Sequence, residues 1–202
     1  MRPMDDSNNR LARQIDFILE LDRLKTVLRR SYVLHEDRRE NSAEHSWHVA
    51  MLALVLAEHA DEAVDGARVA QMLIVHDVVE IDAGDTFVYD VAARAEKASM
   101  EAVAAERIFG LLPEDQGREL RALWQEFEAG ETPDARFGQA IDRLMPILHN
   151  LEGGGRTWRE HGVQKHQVLD YNAHMARGSK ALWEYARQRI EAAAAGGDLA
   201  GS

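Results

Sequence analysis

Two histidines and two carboxylates stand where the surrounding pattern calls for apolar residues. His45, the dipeptide His76-Asp77 and Asp142 each fall in a segment that otherwise reads as a buried helix. Burying a charge is costly unless it is paired, hydrogen-bonded or bound to metal. The chain has no cysteine, so imidazole and carboxylate groups at these sites call for a hard-to-borderline divalent cation. A metal-dependent hydrolase is the leading reading. Such an ion lowers the pKa of a coordinated water towards about 7, and a neighbouring carboxylate can then manage the proton. Glu80, one turn beyond His76 on the same face, and Asp85, just after the helix-breaking Gly84, are the candidate catalytic acids.

Taken singly, each residue also has an ordinary reading. His45 could be a core histidine satisfied by a backbone carbonyl, and Asp142 a carboxylate paired with Arg121 or Arg143. Glu80 and Asp85 could be solvated acids at a helix end. Neighbours on a regular helix point in different directions, so His76 and Asp77 share one ion only if it sits over the helix shoulder. Pro146 offers no N–H to the carbonyl of Asp142, so a kink is expected there, with either a packing or a site role. His48 makes an i, i+3 pair with His45 and competes as a ligand. His35, His59, His149, His161, His166 and His174 lack such a context and read as surface or packing residues, although Trp158 and His161, after a glycine loop, could lid a pocket.

The elements that must position these groups read as helices nearly throughout, with no strand pattern. An apolar stripe runs from Ile15 to Leu28. Asn41 and Glu44 resemble a capping box opening a helix to about His59, apolar on almost every side and so expected at the centre. Asp65 is a plausible N-cap for a helix to about Ile81, and Thr132-Pro133 an N-cap and N1 pair for one over about 134–151. The expected organisation is a polar segment over 1–14, one all-α, single-domain helical bundle over 15–192 and a flexible Ala/Gly tail over 193–202.

Composition narrows the partners. A formal net charge of −11 argues against a nucleic-acid polymer. It leaves room for a small anionic substrate, because a local cluster and a metal can reverse the field inside one cleft. Arg29, Arg30, Arg38 and Arg39 form such a cluster, or else a solvated basic edge. No apolar run approaches the roughly 18 residues that span a bilayer, so no membrane partner is expected. The polar start is not a secretory signal, and the lack of cysteine is compatible with a reducing cytoplasm, the expected location.

The segments NSAEHSWHVAMLALVLAEHA, MLIVHDVVEIDAGDTF and ARFGQAIDRL, in the order H…HD…D, resemble the HD-domain metal-dependent phosphohydrolases. The run HDVVEIDAGD is similar to that of a small single-domain branch that includes bacterial 5′-deoxynucleotidases. The resemblance covers about residues 15–150. It implies an HD-type helical bundle in which His45, His76, Asp77 and Asp142 hold one divalent ion (Mn, Co, Fe or Mg). It places Glu80 and Asp85 near the nucleophilic water and the substrate, with Thr86 beside them. It also implies that an arginine at the end of the first helix, Arg29 or Arg30, orients the phosphate. The branch often carries tryptophan directly after that arginine, where it bears on sugar selection; this chain has Arg30 or Ser31. The activity implied is release of phosphate from small (deoxy)nucleoside 5′-monophosphates. The alternatives are a phosphodiesterase or pyrophosphohydrolase and a non-catalytic, metal-containing nucleotide sensor, against which the presence of Glu80 and Asp85 weighs. The branch commonly forms homodimers.

Overall fold

The computed structural model describes residues 6–85 and 91–201. Helix α1 (Asp6–Leu21) gives way to a 3-10 turn, Asp22–Thr26, and then to strand β1 (Leu28–Tyr32), which pairs antiparallel with β2 (Arg39–Asn41). Leu28 faces Asn41 and Tyr32 faces Arg39, with an irregularity between them. This small ribbon departs from the expected purely helical reading, in which residues 15–28 formed one helix. The cause is tertiary: Val27 turns extended, and its carbonyl accepts from the amide of Ser42, so the chain follows its partner strand instead of its own helical period.

Asn41 and Glu44 do form the capping box. The amide of Glu44 donates to Asn41 Oδ1 at 3.0 Å and the amide of Asn41 to Glu44 Oε2 at 3.2 Å, opening α2 (Ser42–Leu56). Asp65 caps α3 (Gly66–Val75) through the amides of Ala67 and Arg68. After α3 come a short α4 (Glu80–Ala83), α5 (Val91–Phe109) and α6 (Glu114–Ala129). Thr132 caps α7 (Pro133–Glu152), which runs on through Pro146. The chain closes with α8 (Arg156–Glu160), α9 (Lys165–Asn172), a 3-10 turn over Ala173–Arg177 and α10 (Lys180–Gly196), capped by Ser179.

One apolar cluster joins α2, α3, α7 and α10 through residues such as Val49, Leu73, Ile141 and Ile190. A second joins α1, α5 and α6 through Phe17, Ile108 and Trp124, and takes in Val78 and Val79. His76-Asp77 therefore lies on the chain between Leu73 of the first cluster and Val78 of the second. Helix α2 is not enclosed on all sides as its composition suggests: Trp47 (65%), Met51, Leu54 and Val55 remain exposed along one stripe.

The tail expected to fray after Ala193 is instead docked. Helix α10 continues to Gly196, Leu199 is buried, and the amide of Lys165 donates to Ala200 O at 3.0 Å. Gly155, at φ 72°, lets the tail approach: a Cβ there would lie 1.9 Å from the carbonyl oxygen of Asp198. Among the described residues no helix is long and apolar enough to cross a membrane.

Candidate metal centre

The helix expected to run unbroken to Ile81 ends at Val75. Residues 76–79 tighten into i, i+3 turns, with Val78 N bonded to Val75 O and Glu80 N to Asp77 O, before α4 begins. That tightening turns the Asp77 carboxylate towards His76, which a regular helix would prevent. Asp77 Oδ1 lies 3.0 Å from His76 Nε2. From α7, Asp142 Oδ1 lies 2.8 Å from His45 Nε2 and 3.4 Å from His76 Nε2. His76 Nδ1 donates to the carbonyl of Leu73 at 2.7 Å, which turns Nε2 inward. That Nε2 is buried without a hydrogen-bond partner among the described residues. His45, His76 and Asp142 thus bring one ligand atom each within 4.8 Å of the others, with Asp77 beside His76, a donor set that fits a divalent cation.

The electrostatics agree with that fit. Burial and the charge of Arg29 pull His45 towards its neutral form, but Asp142 and Glu40 outweigh them and its pKa is raised. For His76 burial is again the largest influence and lowers the value, yet Asp77 and Asp142 push it up to about 9. Burial likewise works to raise Asp142, and the hydrogen bond with His45 and the nearness of His76 hold it well below the usual carboxylate range. The carboxylates thus draw both imidazoles towards positive charge, a compensation that a divalent ion would offer with stronger bonds.

Glu80 is buried, and its Oε2 accepts from Ser42 Oγ at 2.6 Å. Burial first, and then the charge of Asp77, raise its pKa well above the ordinary range. Asp85 is also raised by burial and lines a cleft beside Asp142. Thr86 lies outside the described residues. The strand alternation of β1 separates the two arginines that the sequence leaves equivalent. Arg29 points inward, with Nη1 2.8 Å from Asp77 Oδ2, while Arg30 is exposed at the cleft edge. They stand on a strand and not at a helix end.

Sequence reasoning missed several neighbours. Glu40 is buried, with Oε2 3.5 Å from His45 Nδ1. No periodicity marks it, because its burial comes from the pairing of β2. Arg143, weighed as a partner of Asp142, instead lays its guanidinium 4.3 Å from the ring centroid of Tyr171 across the same cleft. The other proposed partner, Arg121, pairs with Glu106. The segment after Gly153 returns to this cleft through Trp158 of α8, whose position after the glycine loop was the available signal. His48 does not join the centre; its ring lies 6.1 Å from that of His149, which is buried, as the packing alternative expected.

The profile of the HD domain matches residues 21–183. The chain is 32% identical over 152 residues to the 5′-deoxynucleotidase HDDC2 of Bos taurus, covering 74% of this chain and 73% of that one. It is 30% identical over 147 residues to the 5′-deoxynucleotidase ECA3034 of Pectobacterium atrosepticum, covering 69% and 73%. The crystal structure of a predicted metal-dependent phosphohydrolase from Magnetospirillum magnetotacticum superposes with a TM-score of 0.89 at 53% identity, covering 95% of this chain and 98% of that one.

Proposed function

This chain belongs to the HD-domain family, and from that membership we propose that it is a metal-dependent phosphomonoesterase acting on small nucleoside 5′-monophosphates. The observation that carries the reading is the convergence of His45, His76 and Asp142, with Asp77 beside His76, at the edge of a cleft that Arg29 and Asp85 also border. These four would hold the ion, which on binding polarises a phosphate oxygen and acidifies a water. Manganese, cobalt, iron(II) and magnesium suit the imidazole and carboxylate donors.

The residues divide the remaining work. Glu80, steadied by the hydroxyl of Ser42, takes the proton from the attacking water at its carboxylate. Arg29, anchored on Asp77, orients the phosphate and offsets the charge that develops on it. Asp85, on the cleft wall, returns a proton to the leaving 5′-oxygen. The residue after Arg29 is the exposed Arg30, so the indole available to the nucleoside is Trp158. The stripe formed by Trp47, Met51, Leu54 and Val55 supports a homodimer built on α2.

The diesterase, pyrophosphohydrolase and sensor readings are not favoured, since the relatives are named 5′-deoxynucleotidases. The test is phosphate release with Mn²⁺, Co²⁺ or Mg²⁺ from deoxy- and ribonucleoside mono-, di- and triphosphates. Release from monophosphates is expected. Silence across the whole panel overturns the reading.

A further inference from the structure

Behind His45, on the side away from the candidate centre, Glu40 of β2, His48 of α2 and His149 of α7 bring one ligand atom each within 4.8 Å of the others. Glu40 Oε2 and His149 Nδ1 are both buried and have no hydrogen-bond partner among the described residues. They lie 3.8 Å apart, too far for a hydrogen bond. Two ligand atoms on one ion, at bonds of about 2.0–2.2 Å, stand about 3–4 Å from each other. The gap that a proton cannot bridge is therefore the gap a metal ion would fill. A buried carboxylate oxygen and a buried imidazole nitrogen side by side, neither with a hydrogen bond among the described residues, are otherwise costly.

We propose that Glu40, His48 and His149 form a second divalent-metal site, separate from the one at His45, His76, Asp77 and Asp142. Arg29 Nε stands 3.7 Å from Glu40 Oε2 and offsets part of that carboxylate's charge. The two neutral imidazoles then dominate the set, which favours a borderline ion such as Zn²⁺ over Mg²⁺. Two histidines and one carboxylate leave a coordination position open to water. Of the three, His149 also lines a cleft bordered by Glu36, Asp37, Glu152 and Arg156. The site joins the adjacent β2 and α2 to the distant α7, so its ion would brace β2 and α2 against α7. The inference stands independently of the phosphatase reading.

The experiment loads metal-stripped protein with excess Zn²⁺, desalts it and counts zinc per chain by elemental analysis, with circular dichroism as the folding control. Two zinc ions are expected in the wild type, and one in each of His149→Gln, His48→Gln and Asp142→Ala. His48, only half-buried, keeps the test alive if His149→Gln does not fold. A wild type holding one ion, with that count unchanged in both histidine variants, overturns the second site and leaves the first intact. Two ions retained in Asp142→Ala, against one in His149→Gln, supports the second site while removing Asp142 from the first.

Discussion

Asp142 Oδ1 is the atom on which the candidate centre closes, since both His45 and His76 aim their inner nitrogens at it. Replacing Asp142 with alanine is expected to lower the occupancy of the ion at that centre and abolish phosphate release. Elemental analysis at limiting metal tests this, and unchanged occupancy would remove Asp142 from the ligand set. Glu80 should behave differently. Its Oε2 accepts from Ser42 Oγ, and among the described residues it is not one of those whose ligand atoms gather around Asp142. Glu80→Gln is expected to keep the metal and lose about 10²–10⁴-fold in kcat, the usual contribution of a positioned acid or base. Steady-state kinetics beside a metal count would separate a proton-handling role from a ligating one. Most of these residue identities were legible, because charge at apolar positions stands out against a helical period. Glu40 was not, for its burial depends on a strand pairing that no local pattern encodes.

Arg107 of α5 links elements that flank the centre. Its guanidinium donates to Asp82 of α4 and, at 2.6 Å, to Glu20 of α1. The hydrogen bond from Arg107 holds the Glu20 carboxyl below its ordinary value of 4.5. A carboxylate whose pKa is lowered on folding contributes stability that is full above its unfolded value and lost as pH falls through the folded one. Arg107→Ala should therefore lower Tm at neutral pH, and the gap to wild type should shrink as pH drops below that value. Thermal denaturation from pH 7 to pH 3 measures it, and a gap that stays constant would assign the loss to packing alone. At the level of elements, the caps at Asn41, Asp65, Thr132 and Ser179 form where side-chain chemistry puts them, because capping is local. The ends of α1 and α3 were misjudged for the opposite reason. The first yields to pairing with β2, and the second tightens where His76-Asp77 passes between two cores.

Across the molecule, the exposed stripe on α2, like that of Leu11, Ile15, Ile18 and Leu19 on α1, is a feature that a monomer leaves unexplained. Light scattering after size-exclusion chromatography is expected to give twice the chain mass of 22.7 kDa, and Leu54→Lys to return it to the monomer. A monomeric wild type would overturn the dimer. The amino-acid sequence alone determined the helical architecture, the caps, the chemistry of a hard-to-borderline ion and the identities of the four proposed ligands. The architecture and the caps follow from residue type and period within one segment; the ligand set is what the resemblance of three segments, taken together, implies. The tertiary structure decided which of Arg29 and Arg30 faces the site, brought Trp158 and Arg143 to the cleft, docked the tail and set Glu40 beside His149. Those facts turn on the alternation of a two-stranded ribbon and on contacts between segments well separated in the chain, and such long-range pairings leave no trace in local periodicity.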